Sequence, residues 1–184
     1  MTTLTQTFPP AGFILSEANG QRSRENLLLS RGKKLTAGMV AKVEAAVSLT
    51  TTASTHTNTT LDTLAATTNL VTGDIYHVTG TGIPANTYFT KGSGASGTLS
   101  QAATATANLV AVVFSRPLGI GPWLQLSDTP AGVSLNDVDA TLGAVMASVI
   151  ARDAEVNLKR LVFPNGSDAD VIADLAGLEI ICRD

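Results

Sequence analysis

Few residues in this 184-residue chain have the type and spacing that chemistry needs. The most suggestive run is Gly92-Ser-Gly94-Ala-Ser-Gly97, formally a G-x-G-x-x-G. A dinucleotide site of that kind follows a strand, opens a helix, and meets an acidic residue about 20 positions on that binds ribose. Here the run leads into Thr-Leu-Ser and Thr-Ala repeats, and no Asp or Glu lies between Asp74 and Asp128. A plain glycine loop is the expectation. The two histidines, His56 and His77, lack a second ligand at the i+2 or i+4 position that zinc sites commonly use. Cys182 sits in Ile-Ile-Cys-Arg, where a free thiol behaves as a small hydrophobe, and no base is placed to activate it. Asp137, Asp139, Asp153 and Glu155 could pair as acid and base, yet no partner motif accompanies them, so solvated loop charges or ion pairs between subunits are expected. Asn58-Thr-Thr60 and Asn165-Gly-Ser167 match the glycosylation sequon, which a bacterial cytosol leaves unmodified. These readings predict a protein that is not an enzyme, with no cofactor, no metal and no small-molecule substrate.

The elements that would position any site point the same way. Charged residues make up 15% of the chain, below the roughly 25% of an average soluble domain, and aromatics only 4%. Thr, Ser, Asn and Gly must therefore supply the polar surface. A net charge of −3 lacks the basic field that nucleic acid requires, which excludes that partner class. The N-terminus shows neither a basic n-region nor an apolar h-region, and no run of about 18 apolar residues exists, so a soluble, unprocessed chain made in the cytosol is expected, with no membrane partner.

Residues 1–26 show no periodicity and contain Pro9, Pro10, Gly12 and Gly20, the signature of an extended arm. Phe8, Phe13, Ile14 and Leu15 are its apolar anchors, able to add to a partner's sheet edge. Arg22 and Arg24, with Arg31, Lys33 and Lys34, concentrate positive charge at the arm's end; solvated loop charge is the plain reading, and docking on an acidic surface the functional one. Leu27 to Ser30 and Met39 to Val43 read as short strands. Between Ser48 and Asn108 Thr dominates and charge nearly vanishes, marking an inserted all-β module, with strands over Asp74 to Thr79, Thr87 to Thr90, Gly97 to Ser100 and Thr104 to Thr106. Its opening stretch, Thr50 to Thr60, reads as a flexible link. Leu109 to Phe114 reads as the return to the body, and Leu142 to Ala151 is ambiguous between helix and strand, with strand favoured because Val145, Val149 and Ile150 lie close before a charged turn. Ser167 is placed to cap a short helix with Asp168 and Asp170 in its first turn and Gly177 at its stop, before a buried closing strand, Leu178 to Cys182. The fold class expected is α+β, mostly β: a small barrel-like body with one or two short helices, an arm and an inserted module.

Three stretches resemble the lambda-type phage head decoration proteins: Gly12-Phe-Ile-Leu-Ser-Glu-Ala-Asn-Gly-Gln-Arg-Ser-Arg-Glu25, Val149-Ile-Ala-Arg-Asp-Ala-Glu-Val-Asn157, and Leu175-Ala-Gly-Leu-Glu-Ile-Ile-Cys-Arg183. With the strands between them the resemblance covers about residues 8–47 and 109–184. It implies a capsid cement protein, trimeric, seated at threefold positions on the outside of the expanded head. The major capsid protein would be its partner, and the arm would order on it through Phe8, Pro9, Pro10, Phe13, Ile14, Leu15, Arg22 and Arg24. The domains expected are a capsid-binding arm, 1–26, a body, 27–47 with 109–184, and a Thr-rich β module, 48–108, which ordinary members lack. Val78 to Thr87 and Gly97 to Thr106 are similar to β modules of other phage virion proteins. A second reading, of a different class, makes the insert a module that attaches to a host glycan or protein.

Overall fold

A computed structural model of the chain describes residues 12–18, 23–124, 128–163 and 168–184. The fold is mostly β and divides into two compact units, Met1–Glu44 with Gly119–Asp184, and Ala45–Leu118.

The first unit opens with β1 (Ile14–Glu17), β2 (Arg24–Leu29), β3 (Lys34–Leu35) and β4 (Val40–Glu44). The second contributes β5 (Val47–Thr55), β6 (Thr60–Asp62), β7 (Ile75–Gly80), β8 (Thr87–Lys91), β9 (Gly97–Leu99) and β10 (Ala107–Arg116). The chain then returns to the first unit with β11 (Gly119–Pro122), β12 (Pro130–Ser134), β13 (Val138–Asp139), β14 (Val145–Ile150) and β15 (Ala154–Asn157). A single 3-10 turn, Leu158–Arg160, the helix α1 (Asp168–Ala176) and β16 (Ile180–Arg183) complete it.

In the first unit β11-β2-β14-β12-β4 close a five-stranded barrel, beside a three-stranded sheet β1-β15-β16 and a β3-β13 pair. Closure leaves those five strands without open edges. The barrel turns a corner at β12, whose register against β4 shifts between Pro130 and Gly132. Gly132 has φ 130°, and a Cβ there would stand 2.1 Å from the Ile150 carbonyl oxygen, so the backbones approach as only glycine permits. Phe13, Val40, Trp123, Val133, Val156, Val171, Leu175 and Ile180 build one core, and Leu29, Leu35, Ile120, Ala147 and Val149 another. Buried Trp123 donates its indole N–H to Asp174 Oδ2 at 2.7 Å, fixing α1 to that core. Asp168 and Asp170 occupy the first turn of α1, where the helix dipole favours them. The Ser167 cap lies outside the described residues. The closing strand is buried only at Ile180; Ile181 is exposed and Cys182 half-buried, because β16 is a sheet edge with one face outward.

The second unit is a closed six-stranded barrel, β10-β5-β6-β9-β8-β7. Its span, Ala45–Leu118, is wider than the 48–108 read from composition. The physical reason is the long ladder between β5 and β10, paired from Val47↔Arg116 to Thr55↔Ala107. Leu109 to Phe114 therefore belongs to this barrel rather than to the body: Val112 and Phe114 point into its core, and Ala111 and Val113 point out. The Thr-rich opening is likewise strand rather than flexible link. Thr51, Ala53, Ser54 and Thr55 are buried, Thr51 Oγ1 accepting from the Ala66 N–H and Thr55 Oγ1 donating to the Ala105 carbonyl. Thr is β-branched and favours strands, and a bonded hydroxyl makes its burial tolerable. Thr104 to Thr106 is not a strand; its groups bond across loops, Thr104 N–H to the Gly82 carbonyl and Thr106 Oγ1 to the Thr57 N–H.

Candidate functional site

The arm residues predicted to do the binding divide into three groups. Phe8, Pro9, Pro10 and Arg22 lie outside the described residues. Phe13 and Ile14 are built into the first unit: the Phe13 ring is only 4% exposed within the core, and Ile14 packs against the same cluster. The backbone is held as well, the Phe13 carbonyl accepting from Asn157 N–H at 2.7 Å and the Gly12 carbonyl from Arg160 Nη1 at 2.6 Å. Leu15 alone of the three described apolar anchors faces out, 51% exposed at the bulge where β1 slips against β15 between Ile14 and Ser16. The extended segment read over residues 1–26 thus contains strand at Ile14–Glu17 and from Arg24, where β1 pairs with β15 and β2 with β14.

Two fastenings draw the far end of this segment in. Ser23 is fully buried; its hydroxyl accepts from the Ala18 N–H at 3.1 Å and donates to the Asp153 carbonyl at 3.0 Å, so residues 18 and 23 are clamped together. Arg24 grips Glu17 with two N–H···O bonds of 2.8 and 2.6 Å. That bonding holds the Glu17 carboxyl below its ordinary range and pushes the Arg24 guanidinium up. Lys34 of the same basic cluster pairs with Asp139 at 2.7 Å. Arg24 and Lys34, both predicted to face a partner, are thus paired with carboxylates within the chain.

The other groups singled out in the sequence have structural work. The glycine loop packs rather than binds: a Cβ on Gly97 would stand 2.4 Å from the Phe89 ring, and Lys91, nine-tenths buried, donates to the Gly92 and Gly94 carbonyls. His56 meets Asp62 at 3.1 Å, and His77 makes an edge contact with Tyr88. Asp137 accepts from the Ala37 N–H, Asp139 from the Thr141 N–H and hydroxyl, and Glu155 from Arg183. The Lys34 and Thr141 contacts hold Asp139 well below the carboxylate range. Burial pushes the Cys182 thiol up, away from a nucleophile's pKa. Among the described residues no group of three or more His, Cys, Asp and Glu side chains could hold a metal ion, and no helix is long and apolar enough to cross a membrane.

One surface was not visible in the sequence. Leu142 is 88% exposed and Met146 60% exposed, and Val145, at the start of β14, is partly exposed too. The second half of β14 holds its buried residues, Ala147, Val149 and Ile150. Met146 is paired with Leu28 of β2, so the two share one outward face of the ladder. The signal available was the crowding of Leu142, Val145 and Met146 beside Gly143 and Ala144, too many apolar groups for one buried face.

Residues 127–181 match the family model described as Bacteriophage lambda head decoration protein D, which bears out the resemblance to lambda-type head decoration proteins. The matched stretch contains the whole of Val149 to Asn157 and the start of the closing motif. No curated protein and no solved structure matches the chain.

Proposed function

We propose that this chain, similar to the head decoration family over residues 127–181, is a cement protein that binds the major capsid protein as a homotrimer at threefold positions of the expanded head. The family match is the observation that carries this reading. It supports a structural protein of a phage head, on the outer surface of the virion. Stabilisation of the shell, synthesis in the host cytoplasm and the trimer belong to the proposal.

The burial of Phe13 and the exposure of Leu15 support a division of labour within the proposal. Residues 1–11, with Phe8, Pro9 and Pro10, together with exposed Leu15, act as the capsid contact, while Phe13, Ile14 and Arg24 act from within the unit by anchoring the segment's base. Exposed Leu142 and Met146, with Leu28 opposite Met146, suit a subunit contact, since a monomer gains nothing from leaving such groups wet.

Two truncations test the arm. Removal of residues 1–11 leaves a folded protein with the thermal transition of the full chain that no longer sediments with expanded heads. Removal of residues 1–26 also strips Phe13 and β1, and costs about 3 kcal/mol or more from the lost aromatic core residue alone. Full occupancy of heads by the shorter truncation would refute the arm as the capsid contact.

A further inference from the structure

The second unit has an unusual distribution of charge. Four charged side chains occur within Ala45–Leu118, and three of them, Asp74, Lys91 and Arg116, are buried. Asp74 and Arg116 pair at 2.5 Å, with the guanidinium over the Tyr76 ring, and Lys91 bonds to loop carbonyls. Asp62, the fourth, is beside His56. Protein surfaces ordinarily carry about a quarter to a third charged residues, so this barrel shows its surroundings a nearly uncharged exterior.

One face of it is ordered as a grid. Register places Ser48, Ser115, His77 and Tyr88 in a single row across β5, β10, β7 and β8, and Thr50, Val113 and Thr79 in the next. Facing residues of an antiparallel ladder project to the same side, and the neighbours along β10, Val112 and Phe114, point inward. The row steps by about 4.8 Å from strand to strand, roughly the width of a sugar ring. At its end the His77 and Tyr88 rings meet edge to face, centroids 5.6 Å apart.

We propose that this face of β5, β10, β7 and β8 binds an uncharged polysaccharide. Charge decides among the possible partners. Nucleic acid and anionic lipid need clustered Lys and Arg, and a charged peptide needs countercharge; the face has neither. A hydrophobic partner needs contiguous apolar area, whereas Val113 is set between Thr50 and Thr79. A neutral polysaccharide presents C–H faces, which suit an aromatic side chain, and hydroxyl edges, which suit rows of serine, threonine and imidazole groups that both donate and accept. The inference stands apart from the capsid reading, because the residues involved lie in the second unit and outside the family match.

Affinity electrophoresis of the full chain tests it, in gels containing dextran, galactomannan or xyloglucan, with alginate and hyaluronate as charged controls. Mobility is taken relative to a gel without polysaccharide, which corrects for charge added by substitution. The expected result is retardation by at least one neutral polymer and by neither polyanion, with an at least tenfold weaker association for Ser115→Glu and for Thr50→Glu, and none of that loss for Ile172→Glu, an exposed position in the first unit. Thr50 is exposed, so its variant decides the matter even if Ser115→Glu fails to fold. Absence of retardation by all three neutral polymers overturns the proposal, and so does retardation that survives Thr50→Glu. Sedimentation with heads is unchanged for Ser115→Glu and Thr50→Glu, which separates failure here from failure of the decoration reading.

Discussion

Gly132 shows most sharply how single residues set this architecture. Its positive φ and the 2.1 Å approach of a would-be Cβ to the Ile150 carbonyl make Gly132→Ala a backbone clash inside the five-stranded barrel. Denaturant unfolding should show a loss of about 3 kcal/mol, near the top of the usual range for one substitution. The Glu17–Arg24 pair operates more gently. Both side chains keep solvent contact, 23% and 47% exposed, so screening limits the pair to about 1 kcal/mol. Because the folded Glu17 pKa lies below its ordinary 4.5, the contribution is present above that value and is lost as pH falls through the lowered one. Thermal unfolding followed from about pH 6 to about pH 3 should therefore fall less steeply for Glu17→Gln than for the parent chain in the acid window below 4.5.

At the scale of elements, strands whose inward face is plainly apolar were legible in the sequence. Met39 to Val43, Asp74 to Thr79 and Thr87 to Thr90 each appear within a residue or so of their predicted limits, as β4, β7 and β8. The helix after Ser167 was legible from its acidic first turn and from Gly177. What composition concealed was burial of hydroxyls. Thr50 to Thr60 has the look of a linker, and only the bonds made by Thr51 and Thr55 inside the barrel turn its first half into a strand. Burial of Phe13 was hidden for the opposite reason: an aromatic in an aperiodic segment reads as a protruding anchor, and its core partners, Val156 and Ile180, lie at the other end of the chain. Of the exposed apolar groups, Leu15 was legible in the sequence as an outward group, and Leu142 and Met146 were not. The corrected boundary has a consequence. Glu44 and Gly119 are register partners in the first unit, close enough for a short turn to join them. A chain lacking Ala45–Leu118 and closed there should stay soluble and give one cooperative transition. Excision of 48–108 instead leaves Val112 and Phe114 without their barrel, and static light scattering should report aggregation.

The whole molecule combines a unit carrying the head decoration match with an inserted neutral barrel, the first proposed to bind the capsid and the second an uncharged polymer. Within the first unit, Phe13 and β1 fix the base of the proposed arm, so that a partner could be gripped without disturbing the core. Electron cryomicroscopy of expanded heads saturated with the full chain tests the proposed capsid binding. Trimeric density is expected at the threefold positions of the outer surface, with residues 1–11 lying against the major capsid protein and Leu15 at the contact. Bare heads at saturation, or density placed elsewhere with residues 1–11 turned away from the shell, would contradict it.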